Sequence, residues 1–398
     1  MPTTLSEKAK KVKSSSTLAI TAKAKELKAK GEDVVSFGAG EPDFPTPENI
    51  CEAAIQAIEN GATRYTPASG TNELKKAISK KFYAFNKLDY KPNQIVVSNG
   101  GKHSLTNIFE AILNEGDEVI IPAPYWLSYP EIVRLAGGVP VFVRCTREQD
   151  YKLTIDQLAA AVTDKTKALV LNTPNNPTGM IYGEEELRAI GNFAVEHDFF
   201  IVADEMYENL FYGEEEHVSI ASLSKEIYKK TITCSGVSKS YAMTGWRIGY
   251  TGSTPDIAAL MSSIQSHQTS NPCSISQAAA VEALNGPQYT VAEMHRAFDK
   301  RRKFIYKRVN EMPLVSAVEP KGAFYLFVDC SQVVGKEYKG KTIENAADMA
   351  AILIEDFKVA VVPCGDFGFD DHIRLSYATS TGEITKGLER IESFLNLL

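Results

Sequence analysis

Seven short apolar runs, alternating with stretches of helical period, restrict the fold of this chain more than any other feature. The runs are IVVSN (95–99), EVIIP (118–122), PVFV (140–143), KALVLN (167–172), FFIVADE (199–205), TITCS (231–235) and RIGYTG (247–252). Between most of them lie HSLTNIFEAIL, WLSYPEIVRLA, EEELRAIGNFAVEH and DIAALMSSIQSH, which carry the 3.6-residue spacing of helices. Several runs are apolar along their whole length, so their strands need cover on both faces. The pattern predicts an α/β domain with a largely parallel sheet over residues 48–290. Beyond it, VAEMHRAFDKRRKFIYKRVNEM predicts a long charged helix. Strands near AFYLFVD and HIRLSYA, with helices in TIENAADMAAILIEDF and GEITKGLERIESFL, predict a smaller α+β unit formed by residues 291–398 together with 1–47. No internal repeat, low-complexity tract or flexible linker interrupts this order.

With 398 residues, 44% of them hydrophobic, the chain can bury a large core. The net charge is −7 and the basic residues are interspersed with acidic ones, so nothing offers a stripe for a phosphodiester backbone, and no nucleic-acid partner is expected. Six scattered cysteines without a C-x-x-C pair predict reduced thiols and argue against a disulfide framework or a zinc site. The N-terminal lysines are followed by no apolar stretch, and no run approaches the roughly 18 apolar residues of a membrane span, so a soluble cytoplasmic protein is expected.

In a parallel sheet, ligands collect beyond the carboxyl ends of the strands, and here those ends carry chemistry. Gly100-Gly101-Lys102 precedes a helix, which suits an anion such as phosphate, although such a turn is also an ordinary connection. NTPNNPTG, with Asn176-Pro177, reads equally as a proline-rich turn. Asp204 ends an apolar strand with Tyr207 three residues on; a carboxylate there is either paired structurally or aimed at a ligand. Lys239 stands among small residues in CSGVSKSYAMTGWRIGY. It is a solvated loop lysine or, if buried, an amine able to form a Schiff base with a carbonyl. Arg247, returning to the same strand ends, adds a permanent charge suited to phosphate. One cofactor uses a lysine for its aldehyde, a carboxylate for its ring nitrogen and donors for its phenolic oxygen and phosphate: pyridoxal 5′-phosphate.

GAGEPDF (38–44), RYTPASG (64–70), NGGKH (99–103), PYWLSYP (124–130), NTPNNPTG (172–179), DEMYENL (204–210), SKSYAMTGWRIGY (238–250) and RLSYATS (374–380) together resemble the class I pyridoxal-phosphate aminotransferases, in particular the bacterial aspartate aminotransferase subgroup. The motifs follow the family's order and span nearly the whole chain. The resemblance implies a fold type I transferase, with a large domain around a mostly parallel sheet and a smaller α+β domain. It implies a Schiff base on Lys239, Asp204 at the pyridine nitrogen, Asn176 and Tyr207 donating to the 3′ oxygen, and Trp126 stacked on the ring. The phosphate would be held at Gly101 and Lys102, by Ser238 and Arg247, and by Tyr65 from a second subunit, so a homodimer with shared sites is implied. For the substrate it implies Arg374 on the α-carboxylate, helped by Gly40, Trp126 and Asn176. Amino acids and 2-oxo acids are the implied substrates, with L-aspartate donating to 2-oxoglutarate.

Two positions depart from better-known relatives. Where those have an arginine for the distal carboxylate, SSIQSHQTSNP has none and Ser266 stands at about that place; in the resembling subgroup a lysine after Gly-Gly takes the role, which Lys102 matches, with Ser16 and Thr17 closing over the substrate. A lysine is a point charge without the fork of arginine, which leaves aromatic amino acids or prephenate as alternative substrates. Gly236 replaces a phosphate-binding serine of some relatives, for which Ser235 or Ser238 would compensate. A non-catalytic regulatory protein of this fold is the remaining alternative. GKEYKGKT (335–342) satisfies the P-loop pattern formally but is lysine-rich and does not directly follow the strand YLFVD, so nucleotide binding is not expected. The six histidines show no ligand spacing, and no metal site is expected. GVSKS is not G-x-S-x-G, which removes the simplest serine-hydrolase reading.

Overall fold

The computed structural model describes residues 5–10, 12, 16–213 and 216–398. Seven strands form the central sheet: β1 (Ile95–Ser98), β2 (Glu118–Ala123), β3 (Val139–Arg144), β4 (Thr166–Asn172), β5 (Phe200–Asp204), β6 (Thr231–Gly236) and β7 (Gly249–Gly252). Their order is β1-β7-β6-β5-β4-β2-β3, with β7 antiparallel to both neighbours and the other pairings parallel. Strand β7 opposes β6 because only residues 237–248 separate them, which leaves no helix for a parallel crossover. It also starts two residues later than the apolar run RIGYTG suggests: Arg247 has a φ of 57° and lies outside the ladder.

The apolar runs alternate sides as the pleat requires. Val119, Ile121, Val170, Val202 and Ile232 pack with Leu105, Ile108 and Phe109 of the helix Gly101–Ile112 on one face. Ile120, Leu169, Leu171, Ile201 and Ala203 pack with Leu187 and Ile190 of the helix Glu184–Glu196 on the other. Cover on both faces is therefore the physical cause of the uninterrupted apolar runs. In register, Asn172 lies opposite Asp204, Asp204 opposite Cys234, and Gly236 opposite Gly249. The chemically loaded strand ends thus share one edge of the sheet.

The C-terminal part builds a second sheet of four strands, in which Tyr325–Asp329 pairs antiparallel with His372–Ser376. Its core takes in Val35 and Phe37 from the N-terminal part and Tyr207, Leu210 and Tyr212 from the turn after β5. Val35–Ser36 also pairs in parallel with Val359–Ala360. The segment GKEYKGKT forms a hairpin, Glu337–Tyr338 against Lys341–Thr342, turning through Lys339 and Gly340 at positive φ; this is not the strand-to-helix turn of a P-loop. All six cysteines are free, and among the described residues no helix is long and apolar enough to cross a membrane.

Candidate active site

The shared sheet edge opens into a cavity of about 250 Å³. It is lined by Gly40, Gly101, Lys102, Trp126, Asn176, Asp204, Tyr207, Ser238, Lys239, Arg247 and Arg374, eleven of the twelve site residues expected from the sequence. Tyr65 is outside the lining and 91% exposed. Thr17 lines the cavity, whereas Ser16 does not, and both hydroxyls are buried without a partner. Ser266 is exposed and donates to the Ser263 carbonyl at 2.7 Å, so it takes no part.

Lys239 lies in the loop between β6 and β7, and its Nζ donates to the Gly40 carbonyl at 2.5 Å. Burial pulls its pKa down to about 8; the Arg247 and Arg374 charges push the same way, and Glu41 and Asp204 oppose them. Asp204 ends β5 and accepts from the Tyr129 hydroxyl at 2.7 Å and from the Met206 N–H at 3.1 Å. Burial raises its carboxyl pKa against both donors. The lysine and the carboxyl are thus each drawn toward neutrality by desolvation.

Arg374, on the strand His372–Ser376, is buried, and its Nη1 donates to Asn176 Oδ1 at 2.9 Å. Its Nε and Nη2 have no partner. Its guanidinium lies 4.3 Å from the centre of the Tyr325 ring, and Tyr325 shares a hydroxyl hydrogen bond of 2.9 Å with Tyr207. Lys102 reaches over Trp126, with Nζ 5.1 Å from the ring centre, and its pKa is lowered by burial and by Arg247. The helix expected over WLSYPEIVRLA begins only at Ser128, so Trp126 belongs to the preceding turn.

At the other end of the cavity, Gly100 has φ +88° and caps the helix Gly101–Ile112 without a side-chain cap. A Cβ at Gly100 would run into the Arg247 guanidinium, and one at Gly249 would meet the Gly101 nitrogen. Close backbone packing leaves the first N–H groups of this helix for an anion beside Arg247 and Ser238. Ser235 does not assist: it is buried and its hydroxyl donates to Glu208 at 2.5 Å, away from the cavity. Nor has Gly236 room for a side chain, since a Cβ there would meet the Ile248 carbonyl at 2.9 Å.

Residues 32–391 match the family described as aminotransferase class I and II. The chain belongs to these aminotransferases. It is 51% identical over 391 residues to the aspartate aminotransferase of Bacillus sp. (strain YM-2), covering 98% of this chain and 99% of the relative. It is 46% identical to the aspartate/prephenate aminotransferase of Cereibacter sphaeroides (strain ATCC 17029 / ATH 2.4.9), covering 98% of each. The solved aspartate aminotransferase of Thermus thermophilus with maleate superposes with a TM-score of 0.93 at 42% identity, covering 99% of this chain and 100% of that one. The two sheets described above are thus the fold type I architecture of the class I aminotransferases.

Three groups in this aminotransferase site escaped the sequence reading. Tyr129 holds Asp204, Asn172 holds the Asn176 N–H at 2.9 Å and the Asp204 carbonyl at 3.0 Å, and Tyr325 braces both Tyr207 and Arg374. Asn172, as the polar end of an apolar strand, carried a local signal. Tyr129 and Tyr325 carried none, because their partners lie 75 and 118 residues away.

Proposed function

We propose that the protein is a pyridoxal-phosphate-dependent aminotransferase that moves the amino group of L-aspartate to 2-oxoglutarate, giving oxaloacetate and L-glutamate. The observation that carries this reading is the pairing of a half-buried lysine amine with a buried arginine whose Nε and Nη2 are unpartnered in the same cavity. Those two N–H groups form the edge of guanidinium that takes a carboxylate bidentately.

The residues present fit the cofactor. Lys102, Lys239, Arg247 and Arg374 face Asp204 as the single carboxylate among the described residues of the lining, an imbalance that favours a ligand with more than one anionic group. The uncapped helix start at Gly101, with Ser238 and Arg247, is suited to the phosphate; Asp204 would meet the ring nitrogen, Lys239 the aldehyde, and Asn176 and Tyr207 the 3′ oxygen, with Trp126 on the ring face. When bound, pyridoxal 5′-phosphate supplies an electron-accepting ring that stabilises negative charge at the substrate Cα.

The protein's own groups do the rest. Arg374 holds the α-carboxylate through Nε and Nη2, while Asn176 fixes its third nitrogen. Gly40 offers its backbone beside Lys239. With a pKa near 8, Lys239 Nζ is partly neutral at mildly alkaline pH and can take the substrate Cα proton and return it. Tyr129 and the Met206 N–H donate to Asp204 and so favour its charged form against the desolvation that raises its pKa. Lys102 meets the distal carboxylate shared by aspartate and 2-oxoglutarate, and Thr17 brings an unpartnered hydroxyl to the same cavity.

Tyr65 is assigned to the phosphate site of the neighbouring subunit in a homodimer, a role its 91% exposure permits. Residues 48–290 are taken as the large domain, and 1–47 with 291–398 as the small one, a division supported by the two separate sheets; within it, residues 1–4, 11 and 13–15 lie outside those described. A cytoplasmic enzyme without nucleic-acid or membrane partners accords with the charge pattern and the free cysteines.

The relative named for both aspartate and prephenate supports a second reading, in which prephenate also serves as acceptor. The absorption spectrum of the purified protein with pyridoxal 5′-phosphate tests the first. Addition of L-aspartate alone should replace the visible band of the lysine-bound cofactor by the near-ultraviolet band of its amine form, and Lys239→Ala should abolish turnover. An unchanged band overturns the aspartate assignment. Return of the visible band on adding prephenate, as well as 2-oxoglutarate, establishes the second reading.

A further inference from the structure

Beneath the cavity, on the far side of the turn that follows β5, lies a buried charged cluster that the chemistry above does not use. Glu208 is paired with Lys81 and accepts from Asn86 Nδ2 at 2.7 Å and from Ser235 Oγ at 2.5 Å. Glu205 accepts from Asn86 Nδ2 at 3.0 Å and Ser219 Oγ at 2.6 Å, and lies 3.2 Å from His217 Nε2. Ligand atoms of Glu205, Glu208 and His217 all lie within 4.8 Å of one another, the spacing of a cation site. The cation there is already supplied: the Lys81 ammonium contacts Glu208, donates to Asn86 Oδ1 at 2.9 Å and stands 5.0 Å from the Phe82 ring.

The geometry of the turn gives this cluster a task. In the sequence Asp204-Glu205-Met206-Tyr207-Glu208, Asp204 and Tyr207 line the cavity, and the residue after each is a carboxylate clamped on the opposite side. The Glu205 N–H donates to the Cys234 carbonyl at 2.8 Å and the Glu208 N–H to the Glu205 carbonyl at 3.0 Å, which sets the three-residue offset. The cluster ties together three segments: the helix Asn72–Asn86, this turn, and the end of β6, whose Ser235 leads on to Ser238 and Lys239. A buried ion pair is rarely more stabilising than apolar side chains of equal volume, but it is directional and tolerates little displacement.

We infer that Glu208, gripped by Lys81, Asn86 and Ser235, is a positioning residue that fixes the aim of Tyr207 and Asp204 into the cavity. This rests on the aminotransferase reading of the same site. Arg374 and Lys102, which hold the substrate, make no contact with the cluster, so its loss should separate turnover from substrate binding.

The test uses the holoenzyme of wild type, Glu208→Gln, the double variant Lys81→Met/Glu208→Gln, and Ser235→Ala. For each, kcat and KM are measured with L-aspartate and 2-oxoglutarate, together with thermal stability, the dissociation constant for pyridoxal 5′-phosphate and the pH midpoint of its visible band. In Glu208→Gln kcat should fall about 10- to 100-fold, the cost of a misplacement near 1 Å, while KM stays within about threefold. The double variant removes both charges, so it should regain thermal stability yet keep the low kcat and a displaced band midpoint. Wild-type kcat and midpoint in the double variant overturn the inference and leave the cluster a purely structural feature. If neither charge variant folds, Ser235→Ala decides alone: it keeps the ion pair and removes one anchor, and a kcat loss of about threefold or more at unchanged stability supports the inference, whereas wild-type values overturn it. Absence of turnover in wild type overturns the functional reading instead, and the positioning role is then decided by cofactor affinity, which Glu208→Gln should weaken about tenfold.

Discussion

In the proposed function Arg374 and Lys102 divide the work of recognising a dicarboxylic amino acid, and their surroundings predict how each fails. Arg374 is buried with two N–H groups unpartnered, so Arg374→Ala removes the group that meets the carboxylate common to every amino acid. Loss of a buried charged partner costs about 2–5 kcal/mol, so kcat/KM should fall by roughly 30- to several-thousand-fold for aspartate and alanine alike. Lys102 lies toward Trp126 and, as proposed, meets only the distal end, so Lys102→Ala should lower kcat/KM about 10- to 100-fold for aspartate and leave alanine nearly unchanged. Steady-state rates with the two donors check both; equal losses for alanine and aspartate in Lys102→Ala would remove its role. Tyr129→Phe addresses the other end of the site. The hydroxyl lowers the Asp204 pKa, so without it the carboxyl should protonate at higher pH, the acid limb of the kcat profile should move upward, and kcat should fall about tenfold with little change in KM. Asp204 and Arg247 were legible because one ends and the other opens an apolar run, and Lys239 because it stands among small residues in the turn after one; Arg374, in the middle of its strand, was reached only through the resemblance. Tyr129 was not, because hydrophobic period shows that an aromatic is buried and says nothing of the carboxylate 75 residues away that its hydroxyl meets.

The turn from β1 into the helix Gly101–Ile112 shows how an element is shaped by what must approach it. Gly100 takes φ +88° directly under the Arg247 guanidinium, and Gly249 of β7 passes against the Gly101 nitrogen. Gly100→Ala therefore adds strain of about 1–2 kcal/mol from the backbone and displaces Arg247 as well. The dissociation constant for pyridoxal 5′-phosphate should rise about tenfold or more, as read by titrating the apoprotein, and inorganic phosphate binding should weaken in parallel. Unchanged affinity for both ligands would place the anion elsewhere. The sequence pattern correctly located this strand and helix, since three successive apolar residues and an amphipathic stretch are local signals. It misjudged the start of β7 and the start of the helix at Ser128, because Arg247 and Trp126 sit in irregular backbone that propensity does not describe. Both are cavity residues, and the departure from regular structure is what brings their side chains to it.

The two sheets, one carrying Lys239 and the other carrying Arg374, make folding itself responsible for assembling the site, and that assembly has a cost measurable in the apoprotein. Folding removes Lys239 from water with Arg247 and Arg374 near it and lowers its pKa to about 8, against about 10.4 for an exposed lysine. Between those values the unfolded chain binds more protons than the folded one, so this group makes the apoprotein more stable as pH rises from about 8 to about 10.4; below about 8 it imposes a constant penalty, on the order of 3 kcal/mol. Lys239→Met keeps the length of the side chain and removes the charge. At pH 7 the apo variant should therefore melt above apo wild type, and the difference should shrink as pH approaches 10. Thermal unfolding of both apoproteins across pH 7–10 checks this: a pH-independent difference would mean that the lysine escapes desolvation. In the holoenzyme the order at pH 7 should reverse, because wild type gains the binding energy of a cofactor that the variant no longer holds covalently. A site that destabilises its empty form and is repaid by its ligand explains why a lysine surrounded by small residues, with two arginines nearby and no adjacent acid in sequence, persists at the centre of the fold.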